Sequence, residues 1–224
     1  LTLGMGFDEE IPVPFLGSTF AETADGAILF DDYSEIPVTW LSELLPDGTI
    51  RQIWNCADWG RDYGLNVWGC DPNETLWVEH TDTVLWSMWG SDTVVEIDRS
   101  SGQLLHQFGR VANGWSFAPA KSRFEMQHYP YYTEAGTLLT STHTLSDPPE
   151  QRAREYVVDE HDRTLREIWT YGEGVGKDAP AAGEDLPPPH GNTMLNRGHG
   201  AGPPGVPPEQ AGGRGGERAR PSPP

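Results

Sequence analysis

A four-residue pattern returns along this chain at a nearly fixed interval, and that repeat restricts it to folds built from one supersecondary unit used again and again. The pattern is a small or acidic residue, a small residue and two apolar ones. Its copies are Gly26-Ala27-Ile28-Leu29, Asp82-Thr83-Val84-Leu85, Gly136-Thr137-Leu138-Leu139 and Asn192-Thr193-Met194-Leu195. The closing leucines stand 56, 54 and 56 residues apart. A second signal keeps the same step: strand-like text, a polar turn, and a strand ending in an aromatic residue. It runs from Trp40 through the Pro46-Asp47-Gly48 turn to Trp54, from Val94 through Ser101-Gly102 to Phe108, and from Glu155 to Trp169. Alternating apolar and polar residues around Asp-Gly or Ser-Gly are hairpin signals. An entry strand plus hairpin strands in each repeat describes a propeller blade, a four-stranded antiparallel sheet. The expected fold is therefore all-β: a partial β-propeller over 1–200, with blades at about 20–60, 61–112, 113–174 and the start of a fourth at 183–200. A β-sandwich with accidental spacing is the alternative, and two signals sharing one period weigh against it.

The fourth repeat breaks. Where a Val-x-x-Ile-Asp hairpin is due, the text becomes Gly202-Pro203-Pro204-Gly205-Val206-Pro207-Pro208 and then Gly212-Gly213-Arg214-Gly215-Gly216. Proline cannot donate to a sheet ladder, so this segment holds no central strand. Residues 201–224 read as a disordered tail, too poor in apolar side chains to offset their ordering entropy. A reading-frame change and a genuine flexible tail both explain the break. An incomplete ring leaves exposed sheet edges, so the chain is expected to be a piece of a larger propeller.

The net charge of -19 lies almost wholly before this tail. An acidic body excludes a phosphate-binding stripe and with it nucleic acid. No run of about 18 apolar residues is present, so no membrane span is expected. The chain begins at Leu1 without a basic-then-apolar leader, which points to a removed signal peptide or to missing upstream sequence. Cys56 and Cys70 are the two cysteines. A disulfide in an oxidising compartment and two separate buried thiols are both open, and the pair alone is too few for a zinc site.

The stretch Asn66 to Trp169 resembles the bacterial arylsulfotransferase-like β-propellers. The resemblance rests on Asp82 to Ser87 followed by Val94 to Gly102, on Phe124-Glu125-Met126-Gln127-His128, on Gln151-Arg152-Ala153-Arg154-Glu155-Tyr156-Val157-Val158-Asp159, and on Leu186-Pro187 with Gly191-Asn192-Thr193. It implies a six-bladed propeller with a site in the central funnel. It also implies ping-pong transfer of a sulfuryl group from an aryl sulfate to a phenol through a sulfo-histidine, with no cofactor, nucleotide donor or metal. Such a reaction suits a neutral imidazole, fixed donors for the developing negative charge, and aromatic walls for the phenyl ring.

Carried over by position, the resemblance makes His128, Arg152 and His143 the catalytic candidates, and Asn66, Gln127, Trp86 and Trp89 the substrate-binding ones. Gly64 stands where the family has a histidine. The family's nucleophilic histidine lies in a late blade, near which only His190 or His199 could stand. On residue type alone, His128 could equally be a core histidine, Arg152 a surface ion pair with Glu150 or Glu155, and Trp86 and Trp89 packing residues. His80, His106 and His161 read as solvated, and Asp71-Pro72-Asn73-Glu74 as a turn. The enzyme reading stands beside a second one, a non-catalytic propeller binding a ligand or partner on its funnel face. A periplasmic or extracellular, bacterial protein is expected, with the oligomeric state open.

Overall fold

The computed structural model describes residues 16–35, 38–65, 70–144 and 149–175, together with short strands at 184–186, 194–196 and 217–218. The chain is nearly all β, laid down as one sheet after another. The first sheet holds β1 (Leu16–Glu22), β2 (Ile28–Glu35), β3 (Val38–Leu44) and β4 (Ile50–Asn55), antiparallel and in chain order. The second holds β5 (Pro72–Val78), β6 (Thr83–Met88), β7 (Thr93–Asp98) and β8 (Leu104–Gly109) in the same arrangement. In the third, a short strand β9 (Ser116–Ala118) precedes β10 (His128–Tyr132), β11 (Leu138–Thr144), β12 (Glu150–Asp159) and β13 (Thr164–Tyr171). Strands β10 to β13 repeat the antiparallel meander, and β9 adds a parallel edge to β13. A small sheet follows: β14 (Glu184–Leu186), β15 (Met194–Asn196) and β16 (Glu217–Arg218). Two residues of the segment expected to be disordered thus join a ladder, and the rest of 201–224 lies outside the described residues.

The repeated pattern has a local cause. Its first residue closes the turn between the first two meander strands with positive φ: 80° at Gly26, 51° at Asp82 and 75° at Gly136. That left-handed backbone favours glycine and, next, short polar residues. The Thr23 and Thr133 amides donate to the Ala27 and Thr137 carbonyls at 2.9 and 2.8 Å, while Gly26 and Gly136 donate back to the carbonyls of Thr23 and Thr133.

The two apolar residues that close the pattern point to opposite faces of their strand. Val84, with Trp86 and Met88, packs on Leu29 and Leu41 of the first sheet. Leu85, with Val78, Val94 and Phe108, packs on Phe124, Leu138, Tyr156 and Leu165 of the third. Every residue of β6 is buried, because the second sheet is covered on both sides. Each large side chain so buried contributes about 1.5–3 kcal/mol.

A polar element shares the repeat. Glu43, Glu96 and Glu155 stand across their ladders from Leu29, Leu85 and Leu139. Glu43 accepts from Arg99 of the second sheet at 2.8 Å and from Arg51 at 2.7 Å. Glu96 accepts from Thr83 and from Tyr132 of the third sheet, both at 2.7 Å. Glu155 accepts from Thr137 at 2.6 Å. The first two of these glutamates tie their sheet to the next one.

Between the first two sheets, directly after β4, lies helix α1 (Cys56–Asp62), an element not anticipated from the sequence. The Asn55 side chain caps it by accepting from the Asp58 amide at 3.0 Å. Cys56 and Cys70 form a disulfide with Cα atoms 5.8 Å apart, which decides between the two alternatives left by the sequence. Trp59 on this helix packs against Trp54 and Tyr63 and donates to Gln107 at 3.1 Å.

Candidate functional site

Strand β5 contacts both β1 and β10, so the first strands of the three main meanders are neighbours. His128, the first residue of β10, meets Asn73 of β5. The Asn73 Nδ2 lies 3.0 Å from His128 Nδ1 and donates to the Gln127 carbonyl at 2.7 Å. On its other side His128 is held by Thr140 of β11, whose hydroxyl donates to the His128 carbonyl at 3.0 Å.

The chain is strained around this residue. Met126 and Tyr129, neither of them glycine, have φ of 44° and 50°, and the β10–β11 register shifts between His128 and Tyr131. Left-handed backbone costs a residue with a side chain roughly 1–2 kcal/mol, and such strain persists only where surrounding contacts over-determine it. Gln127 supplies those contacts. It is wholly buried, and its Nε2 reaches Ser87 Oγ, the Met88 carbonyl and the Thr93 carbonyl at 3.0, 3.1 and 3.0 Å.

The His143 ring stands edge-on to that of His128, with centroids 5.4 Å apart. Its backbone amide donates to the Glu125 carbonyl at 3.0 Å. Burial, with a smaller effect from the neighbouring imidazole, pushes the His128 pKa down to about 4. His128 is therefore neutral across the physiological range.

Of the residues expected from the sequence, the structure brings His128 and His143 together. Arg152 goes elsewhere: it pairs with Glu150 at 2.8 Å and Glu173 at 3.5 Å. Across the β11–β12 ladder Thr142 faces Arg152, whereas His143 faces Gln151, so Arg152 and His143 lie on opposite faces of one sheet. Gln127 and Trp86 are both fully buried, Gln127 as a staple between sheets and Trp86 edge-on to Trp54 in the core. Trp89 is 43% exposed just beyond β6, its amide donating to the Asp71 carbonyl at 2.9 Å. Asn66, His190 and His199 lie outside the described residues.

Other neighbours were not legible as site residues. Asn73, read as a turn residue, is in strand β5. Tyr33, Trp89 and His143 stand four residues after the closing leucine of their repeats, so the same station carries a ring in all three. That regularity was available in the sequence once the repeats were aligned. Burial and the charges of Asp31 and Asp71 push the Tyr33 phenol upward. Burial, then Asp31, raises the Asp71 carboxyl. Buried Asp31 accepts from the Thr19 amide at 2.9 Å and the Thr19 hydroxyl at 3.1 Å, and Thr19 touches Thr75 of β5 at 2.8 Å. A Cβ on Gly17 would lie 1.8 Å from Asp31 Oδ2, so that position requires glycine.

Two further polar clusters join the sheets. A cavity of about 370 Å³ is lined by Asp25, Glu43, Arg51, Asp82, Arg99 and Ser100, with Arg99 spending its guanidinium on Glu43, Asp82 and Asp25. His106, expected to be solvated, is largely buried: Nδ1 lies 2.8 Å from Glu96 and Nε2 3.2 Å from Glu160, with Phe108 and Trp115 against the ring. Among the described residues no three His, Cys, Asp or Glu side chains converge as a metal site, and no helix is long and apolar enough to cross a membrane.

No protein-family model and no curated protein matches the chain. Among solved structures, a protein of unknown function from Bacteroides caccae is 12% identical, with a TM-score of 0.48, over 80% of this chain and 55% of that one. A candidate 6-phosphogluconolactonase from Bacteroides uniformis is 14% identical, with a TM-score of 0.39, over 80% and 64%. An endo-1,4-β-xylanase from Bacteroides thetaiotaomicron is 10% identical, with a TM-score of 0.39, over 74% and 62%. The chain thus spans less than two thirds of the length of each. None of the three is described as an arylsulfotransferase.

Proposed function

We propose that the sheets are consecutive blades of a β-propeller, with β1, β5 and β10 lining its channel, and that the chain is arylsulfotransferase-like. In this reading it handles the sulfuryl group of an aryl sulfate on its way to a phenol. The observation that carries the proposal is the His128–His143 pair, with His128 kept neutral near a pKa of about 4 on the first strand of its blade. Transfer breaks the S–O bond to the phenol and forms a bond from sulfur to an imidazole nitrogen, leaving a phenolate. Neutral imidazoles serve such a step either as the attacking base or as N–H donors to the oxygens that gain charge. Trp89, 43% exposed, is the aromatic candidate for the aryl group in this reading. The Cys56–Cys70 bond supports a periplasmic or extracellular location.

The test is release of 4-nitrophenol from 4-nitrophenyl sulfate with a second phenol as acceptor. His128→Ala and His143→Ala are each expected to lower kcat/KM by about 10²–10³ with unchanged folding. Equal turnover by His128→Ala and the parent chain would remove His128 from the chemistry. A second reading, a non-catalytic propeller that binds its ligand without turnover, is favoured by the engagement of Arg152 with Glu150 and Glu173. Saturable binding of 4-nitrophenyl sulfate with no phenol release decides for it.

A further inference from the structure

We infer that Asn73 is a positioning residue that holds His128 as the tautomer protonated on Nε2, so that this imidazole acts as a hydrogen-bond donor and not as the attacking nucleophile.

The argument begins with the Asn73 amide. An asparagine side chain has an acceptor end and a donor end, and neighbours decide which is which. Here one branch lies 2.7 Å from the Gln127 carbonyl and 3.0 Å from His128 Nδ1. An oxygen in that place would meet the carbonyl acceptor to acceptor, so the branch is Nδ2. This holds although Oδ1 is then buried without a partner among the described residues. The NH2 group has two hydrogens. One goes to the carbonyl, and the other points at His128 Nδ1, which must accept. A neutral histidine that accepts at Nδ1 carries its proton on Nε2.

The Gln127 carbonyl is itself pinned. Ser87 Oγ donates to it at 3.3 Å, and the Gln127 side chain is locked in the second sheet. The chain of constraint therefore runs from the second sheet through Gln127 and Asn73 to the His128 ring. The consequence for the proposed reaction is specific. Nδ1 has its lone pair engaged and Nε2 has a proton, so neither nitrogen is free to attack sulfur, whereas Nε2–H can donate to a sulfuryl or phenolate oxygen.

This role rests on the sulfuryl reading, but the tautomer does not, and the two are separable by experiment. The ¹⁵N shifts of the imidazole nitrogens in the labelled full chain at pH 7 report protonation at each nitrogen. The His128 signals are identified by their loss in His128→Gln. The parent chain is expected to show His128 Nδ1 bare and Nε2 protonated. In Asn73→Asp the carboxylate accepts instead of donating, so the proton moves to Nδ1 and the His128 pKa rises by about 1 to 3. In Asn73→Ala the preference is lost and the two nitrogens average. A parent chain protonated on Nδ1, or an Asn73→Asp chain with the parent tautomer, overturns the inference. If the variants do not fold, the parent spectrum still decides. Absence of aryl sulfate turnover, with the expected tautomer present, fails the sulfuryl reading and leaves Asn73 in its role.

Discussion

Replacing Gln127 by alanine separates a staple from a ligand-binding residue. The side chain is wholly buried, and its Nε2 serves Ser87 Oγ, the Met88 carbonyl and the Thr93 carbonyl within 3.1 Å. Truncation strips a donor from two backbone carbonyls at the end of the β6–β7 ladder and opens a void between the second and third sheets. Each orphaned buried acceptor costs about 1–3 kcal/mol, and the void adds to this, giving a total of about 3–5 kcal/mol. At roughly 2–4 °C per kcal/mol for a domain of this size, the melting temperature falls by about 6–20 °C. Urea and thermal unfolding followed by circular dichroism measure both quantities. Gln127→Glu keeps the volume but, once ionised, faces those carbonyls without a donor. Its buried carboxyl has a raised folded pKa, so the loss in that variant grows as pH climbs above about 4.3. A Gln127→Ala chain with unchanged stability and weakened aryl sulfate binding would refute this reasoning and return Gln127 to the ligand.

Two other outcomes follow from contacts between and beside the sheets. Burial alone would lower the His106 pKa, but the hydrogen bond that His106 donates to Glu96 and the charges of Glu96 and Glu160 more than offset it and raise it above its ordinary 6.5. The contribution of His106 to stability is therefore complete below about 6.5 and lost as pH rises through the higher folded value. Glu96 works in the other direction. Burial opposes its ionisation, yet hydrogen bonds from His106, Thr83 and Tyr132 hold it below its ordinary 4.5, so its contribution is lost as pH falls through that lower value. Buried His128, with its pKa at about 4, costs stability as pH falls below about 6.5, so the His106 effect is read as the difference in urea midpoint between the parent chain and His106→Gln, which should be full below about 6.5 and shrink as pH rises through the higher folded value of His106. Replacing Cys56 and Cys70 by serine should cost about 3 kcal/mol, the loop-closure value for a bridge of this span, as read from urea midpoints in the double variant. A change under about 1 kcal/mol would show that the bridge does not restrain the unfolded chain.

Much of the meander pattern was legible in the chain itself because it is local. Gly26, Asp82 and Gly136 mark turns that need positive φ, and in the second sheet the apolar pair after the turn, Val84 and Leu85, supplies one side chain to each covered face. Helix α1 carried its own readable sign, the Asn55 cap with Asp58 behind it, in a stretch to which the repeat pattern assigns no element. For the candidate site, the family resemblance grouped His128 and His143 with Arg152, whose neighbouring place on the β12 ladder turns it to the other face and onto Glu150 and Glu173. Gln127 and Trp86 looked like ligand residues because burial between two sheets leaves no mark on residue type. Asn73 looked like a turn because its partner lies in another repeat. Period, turns and strand order follow from interactions within a few residues and are therefore written in the sequence. Which side chains meet across sheets, which imidazole nitrogen is engaged and which glutamates tie one sheet to the next depend on contacts between residues some 50 positions apart, and only the packed structure decides those.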